Sequence, residues 1–192
     1  MSNFLNNSTY TDLQIKDEVD CRKFPKEKPK AFATTIEGKE EKGLEEIENS
    51  LLPYDPYVKI VKTGISFLII YSKLSPLEIL GIVKSYRPSR IRSIVPLEEV
   101  TIPSLNCIVE RAVSLFKAKG KSPTYCRCRK RLNNISCREV EMAIGTRITL
   151  EGLALINFKS ALSVIYVEIY NSIAGITILP PNSIKFHKVN NY

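Results

Sequence analysis

Residues 31–36 read as a short strand, and the period then lengthens. Leu44, Ile47 and Leu51 fall at helical spacing between 39 and 52, with acidic residues on the opposite face. Two apolar runs, 58–62 and 65–72, flank Thr63-Gly64 and predict a pair of strands joined by a turn. Ser75-Pro76-Leu77-Glu78 is a capping box with proline at the first helical position, so a helix starts there and runs to residue 86. Pro88 stops it, and 91–96 is again a strand pattern. Strand, helix, strand, strand, helix, strand is the split βαβ order of a ferredoxin-like fold.

A second series of elements begins at Ser104, a suitable helix N-cap. Leu105, Ile108, Val109, Ala112, Val113 and Phe116 make one apolar face, and Gly120 ends the helix. Residues 124–131 alternate as a strand, and Asn133-Asn134 reads as a turn. Ser136-Cys137-Arg138-Glu139 is a second capping box, opening a helix that buries Val140, Ile144 and Ile148. Residues 163–170 and 173–178 form a hairpin across Asn171-Ser172, with Ile165, Val167 and Ile169 on one face. The fold class is α+β. Its expected organisation is a polar tail and linker over 1–29, a ferredoxin-like domain (βαββαβ) over 30–100, a second α/β domain over 101–182 and a C-terminal tail over 183–192.

The 192 residues are 44% hydrophobic, which excludes a wholly disordered chain. No apolar run approaches the ~20 residues of a transmembrane helix, and the N-terminus lacks the basic start and apolar stretch of a secretory signal. The five cysteines are then expected as reduced thiols in a cytoplasmic protein with no membrane partner.

Charge changes the picture more. The net +8 is polarised: 37–55 carry seven acidic groups against two basic, whereas 84–138 carry thirteen basic against three acidic. A field of this kind attracts polyanions, although a basic face also serves simply to keep a protein soluble. The informative stretch is Tyr125-Cys126-Arg127-Cys128-Arg129-Lys130-Arg131. Strand alternation puts Tyr125, Arg127, Arg129 and Arg131 on one face and Cys126 and Cys128 on the other, taken as the core side. Three guanidiniums ~7 Å apart repel one another and need an anion or solvent. Arginine binds phosphate bidentately, and the N–H groups at the start of the Ser136 helix attract anions as well. The competing arrangement is a surface strand whose arginines pair with Glu139 or Glu141. Expected RNA-binding residues are Arg127, Arg129, Lys130, Arg131, Asn134, Ser136 and Arg138. Lys84, Arg87, Arg90 and Arg92 are a further basic group, equally readable as cations completing a helix C-terminus. Tyr86, Tyr125 and Phe158 are candidates for stacking on unpaired bases, or for the core.

Residues 91–181 resemble a THUMP domain, the RNA-binding module shared by thiouridine synthases, RNA methylases and pseudouridine synthases. The resemblance rests on Arg127-Cys128-Arg129-Lys130-Arg131, then Ser136-Cys137-Arg138-Glu139-Val140-Glu141 with Gly145, then Tyr166-Val167-Glu168-Ile169 and Ala174-Gly175-Ile176. The ferredoxin-like region before it matches the small domain that usually precedes such modules. The resemblance implies binding to the tRNA acceptor stem and its unpaired 3′ end. With no catalytic domain following, the chain looks most like the adaptor that presents tRNA to a separate RNA cytidine acetyltransferase for N4-acetylcytidine formation. The alternatives are the RNA-binding subunit of another tRNA-modifying enzyme (thiolation, methylation or pseudouridylation) and a non-specific basic RNA-binding protein.

Catalytic chemistry is not expected. No Gly-x-Ser-x-Gly, Walker A loop or Gly-x-Gly-x-x-Gly occurs, and the one histidine, His187, lies near the C-terminus. Cys126, Cys128 and Cys137 lack the spacing and the fourth ligand of a zinc site, and without a Cys-x-x-Cys redox chemistry is not expected either. The expectation is thus a protein that is not an enzyme, with no metal and no cofactor.

Overall fold

The computed structural model describes residue 21, residues 27–64 and residues 66–186. Most of the expected tail over 1–29, and His187 with the rest of the C-terminus, lie outside the described residues.

The first half contains β1 (Ala31–Thr35), α1 (Glu40–Leu51), β2 (Lys59–Lys62), β3 (Phe67–Tyr71), α2 (Pro76–Tyr86) and β4 (Ile91–Pro96). Its strands form one sheet in the order β2-β3-β1-β4 with every pair antiparallel, the ferredoxin-like arrangement. Cross-strand partners share a face, so Ala33, Leu68 and Ile94 line one side and Phe32, Ile69 and Val95 the other. Helices α1 and α2 bury Ile47, Leu51, Ile79 and Val83 completely. Ser75 caps α2 reciprocally: Glu78 N–H donates to Ser75 Oγ at 3.3 Å, and Ser75 N–H to Glu78 Oε2 at 2.7 Å.

The second half adds β5 (Glu99–Thr101), α3 (Leu105–Lys119), β6 (Thr124–Arg131), α4 (Cys137–Leu150), β7 (Ser163–Tyr170) and β8 (Ile173–Leu179). The sheet order is β5-β8-β7-β6, with β6 and β7 parallel and the other pairs antiparallel. Helices α3 and α4 cover the face carrying Cys126, Cys128, Ile165, Val167 and Ile169. Val140, Ile144 and Ile148 are fully buried, as the helical spacing requires. The opposite face meets the first sheet: Tyr170 stacks on Phe67 at 5.0 Å and lies edge-on to Phe32 at 6.5 Å. The layers are therefore helices, sheet, sheet, helices. Among the described residues no helix is long and apolar enough to cross a membrane.

Three features differ from the sequence reading. Strand β5 fills the stretch read as a domain boundary; three residues are too few for a periodic signal, and pairing of Val100 with Gly175 of β8 holds them. Ser183–Phe186, expected as the start of a tail, return to the first sheet. Ile94 N–H donates to Ile184 O and Phe186 N–H to Arg92 O, both at 3.0 Å, and Ile184 is buried. The C-terminal end of the second half therefore completes the edge of the first. Cys21 and Cys107 are joined by a disulfide across 86 residues, which corrects the expectation of five reduced thiols. Cys126, Cys128 and Cys137 are free. The caps also differ in detail: Glu139 N–H donates to Ser136 Oγ at 3.3 Å, while Ser104 holds the N-cap position of α3 without a side-chain bond.

Candidate nucleic-acid interface

Strand β6 is the outer strand of its sheet, and its eight residues alternate between the α3–α4 layer and the seam between the sheets. Cys126 and Cys128 are buried on the helix side, as strand alternation requires. The arginine face is not the uniform outward row that the sequence suggests. Arg127 is exposed, but Arg129 and Arg131 are only partly so, because both turn to Glu168 on β7. Parallel pairing sets Arg129 opposite Glu168. Arg129 Nη1 lies 3.3 Å from Glu168 Oε1, and Arg131 Nη1 lies 3.5 Å from Oε2. The arginines' partner is thus Glu168, not Glu139 or Glu141. Glu141 instead accepts the Cys128 N–H at 2.7 Å.

Arg131 also reaches the first half of the molecule. Its Nη2 donates to Thr34 Oγ1 at 3.2 Å, and its guanidinium lies 4.5 Å from the centre of the Phe67 ring. Glu168 is 3% exposed. Its cross-strand partner is Gly175, where a Cβ would fall 2.3 Å from a Leu97 methyl, so the Leu97 side chain closes over the sheet beside the carboxylate. Burial lifts the Glu168 carboxyl to about 7, and Arg129, Arg131 and Arg127 pull in the opposite direction. A charged residue inside the apolar run Tyr166-Val167-Glu168-Ile169 was the one signal in the sequence that could have revealed this group, since buried charges require partners.

Along β6 and into α4 the exposed cations are Arg127, Lys130 and Arg138; in the connecting loop Asn134 is exposed and Ser136 half-buried. The 132–135 loop is pinned rather than loose. Asn133 Nδ2 donates to Asn171 O at 2.7 Å, and Asn133 Oδ1 accepts Ile135 N–H at 2.8 Å. The end of β6 leads through this loop into the N-terminus of α4, where backbone N–H groups, Lys130 and Arg138 offer positive potential, while Arg127 lies on the seam face of β6. Phe158 is exposed with its ring 5.0 Å from Tyr125, and Tyr86 stands half-exposed on the last turn of α2.

The second basic group lies on the other half. Lys84 and Arg87 end α2, and Arg90 and Arg92 follow it into β4. There the acidic helix is already engaged: Glu46 accepts Ser89 Oγ at 2.6 Å, Ser89 N–H at 3.1 Å and Arg90 N–H at 2.8 Å. Glu40 accepts Ser66 Oγ, and Glu41 pairs with Lys62. Glu40, Glu41 and Glu46 of α1 therefore bind this protein's own loops and strand β2. Among the described residues no group of three or more His, Cys, Asp or Glu side chains is placed to hold a metal ion.

No protein-family profile matches the chain, and no curated protein matches it. Solved structures do. The chain is similar to PH1313 from Pyrococcus horikoshii at 22% identity and a TM-score of 0.66, covering 82% of this chain and 55% of that one. TrmN from Thermus thermophilus is similar at 19% identity and a TM-score of 0.57, covering 77% and 44%. A 4-thiouridine synthetase solved with RNA and ATP is similar at 9% identity and a TM-score of 0.55, covering 81% and 44%. The fold is THUMP-like. These likenesses are of fold, and the chain spans about half the length of the solved chains it matches. They correct one expectation outright. Because the fold occurs in catalytic chains, a 4-thiouridine synthetase among them, the reading of this protein as a non-enzyme does not stand.

Proposed function

We propose that this chain is the RNA-binding part of a tRNA-modifying enzyme or enzyme subunit. The observation that carries the reading is the run of exposed cations Arg127, Lys130 and Arg138 from β6 into the start of α4, on a fold shared with a synthetase solved with RNA. Arg127, Lys130 and Arg138 make the phosphate contacts, with Asn134 and Ser136 hydrogen-bonding beside them. Arg129 and Arg131 stand behind, holding the strand through Glu168 and lending positive potential. The THUMP resemblance directs the run to the acceptor stem and unpaired 3′ end of tRNA. Lys84, Arg87, Arg90 and Arg92 extend the surface only for an RNA long enough to reach the other half. The narrower reading, an adaptor for an RNA cytidine acetyltransferase, rested on where the sequence stops and gains no support from the comparisons.

Titration with tRNA and with random duplex RNA at matched salt tests the reading. Tighter binding to tRNA is expected, with a log K against log salt slope of about −2 to −3 for three phosphate contacts. A variant with Arg127, Lys130 and Arg138 all changed to Ala is expected to lose most of that slope. Equal affinity for the two RNAs favours a non-specific basic binder, and an unchanged slope in the triple variant removes the site.

A further inference from the structure

The segment that carries Lys130, Asn134 and Ser136 is bounded by two thiols. Cys128 lies on the helix side of β6 and Cys137 is the first residue of α4, and their sulfur atoms are 2.7 Å apart. That is well inside an ordinary non-bonded separation of sulfurs, and a disulfide needs a further approach of only about 0.7 Å. Cys128 is 8% exposed and Cys137 is half-buried, so one thiol can be reached from solvent while the other waits behind it. Cys128 is held by the β6–β7 ladder and Cys137 by the capped start of α4, and the α4 carboxylate Glu141, accepting the Cys128 N–H, ties the two elements to each other.

We propose that Cys128 and Cys137 form a dithiol that is oxidised to a disulfide by a low-molecular-weight disulfide, stapling the loop over 129–136. Cys137, as its thiolate, attacks one sulfur of the small disulfide; that S–S bond breaks and the released thiolate takes up a proton. Cys128 then attacks the Cys137 sulfur, passes its proton to the second leaving thiolate and completes the protein disulfide. Two protein thiols are oxidised and one small disulfide is reduced to two thiols. Burial pushes the Cys126 and Cys128 thiols up, which makes them poor first attackers and leaves the opening step to Cys137. The bond joins the ends of the segment that contains Lys130, Asn134 and Ser136. The absence of a Cys-x-x-Cys therefore does not exclude redox chemistry here, because strand and helix bring together two thiols nine residues apart.

The test is incubation of the full chain with oxidised glutathione, followed by alkylation, intact mass and peptide mapping, which resolves this bond from Cys21–Cys107. The product is expected to be about 2 Da lighter before alkylation, two hydrogens being lost with the new bond, and to carry two fewer alkyl groups after it. It carries a Cys128–Cys137 linked peptide, with Cys126 alkylated only after unfolding. The Cys126→Ala variant is expected to form the same link, and Cys137→Ser none. Amide exchange over 129–136 is expected to slow at least twofold in the linked form. A stable glutathione adduct on Cys137, a Cys126–Cys137 link, three unchanged thiols or unaltered amide exchange would each overturn the proposal. None of these readouts involves RNA, so the proposed function and the dithiol fail separately.

Discussion

Among the described residues each half of the molecule buries one carboxylate, and the two are held in opposite ways. Asp55, after α1, is 1% exposed; Ser72 Oγ donates to it at 2.6 Å, Lys73 N–H at 2.9 Å and Tyr57 N–H at 3.1 Å. Those bonds, the Ser72 hydroxyl foremost, hold its carboxyl below the usual range despite burial. Glu168 in the second half lies deeper, beneath the Leu97 side chain, and meets two guanidiniums at 3.3 and 3.5 Å; there burial is the largest influence and lifts it to about 7. Near the surface, short hydrogen bonds aimed at the charged form outweigh a modest desolvation; deep between the sheets, longer ion pairs do not outweigh a large one. Asp55 is thus a fixed structural anion that organises the turn after α1. Glu168 is a counter-ion whose charge changes near neutrality, and the arginines it holds are neutralised only in part.

The largest expected effect breaks this contrast at the second half. Changing Arg129 and Arg131 to Ala together leaves Glu168 buried without a partner. The cost at about pH 8 is expected to be roughly 3 kcal/mol, in the range for breaking a buried pair. At about pH 5.5 the carboxyl is protonated before unfolding, so the penalty is expected to shrink sharply. Urea unfolding at the two pH values reads both numbers, and an equal loss at each would mean that the arginines act through packing rather than through Glu168.

The pH dependence of the unaltered protein sharpens the same point. A carboxyl raised from its ordinary 4.5 to about 7 takes up a proton in the folded state first. Its contribution therefore favours folding below about pH 4.5 and is lost as pH rises through about 7, a change on the order of 3 kcal/mol at most. Asp55 has the opposite sign: its contribution is present above the ordinary aspartate range and is lost as pH falls through its lowered value. Glu168→Gln is expected to flatten the decline between about pH 5 and 8 and leave the acid limb in place. Asp55→Ala is expected to cost about 2 kcal/mol at neutral pH, through the stranded Tyr57 and Lys73 N–H groups. A Glu168→Gln profile that still falls across that window would assign the titration to another group.

The elements themselves were legible because each carries its own local signal. Helix α4 reads from Ser136 and the spacing of Val140, Ile144 and Ile148, and β6 from strict alternation over 124–131. Alternation says which side chains share a face and nothing about what lies opposite. The arginine row therefore looked like a solvent face, while its true neighbours are Glu168 on a parallel strand 37 residues from Arg131 and Thr34 97 residues away. The Cys21–Cys107 bond, the pairing of β5 and the return of 183–186 to β4 share that character: each is a contact between distant segments, fixed by packing and unmarked in local sequence. Within the segment 127–138 read as an RNA site, what the sequence could not divide was the exposed Arg127, Lys130 and Arg138 from Arg129 and Arg131, already engaged by Glu168.

The smallest expected effect on stability separates those two groups most cleanly. Arg127 shares its strand face with Arg129 and Arg131 but is exposed, and Glu168 spans only the latter two. Arg127→Ala is therefore expected to change unfolding free energy by no more than about 0.5 kcal/mol at any pH, as an unengaged surface position should. Its effect belongs to binding: the tRNA salt slope is expected to fall by about one unit, the signature of one lost phosphate contact. Lys39→Ala, beside the acidic helix, serves as the control that moves neither quantity. Glu168→Gln makes the reciprocal test, since uncoupling Arg129 and Arg131 from their counter-ion is expected to steepen the slope above about pH 7 and to leave it unchanged near about pH 5.5. If Arg127→Ala destabilised the fold as the double arginine variant does, the strand would be a single structural unit, and the division between holding and binding arginines would fall.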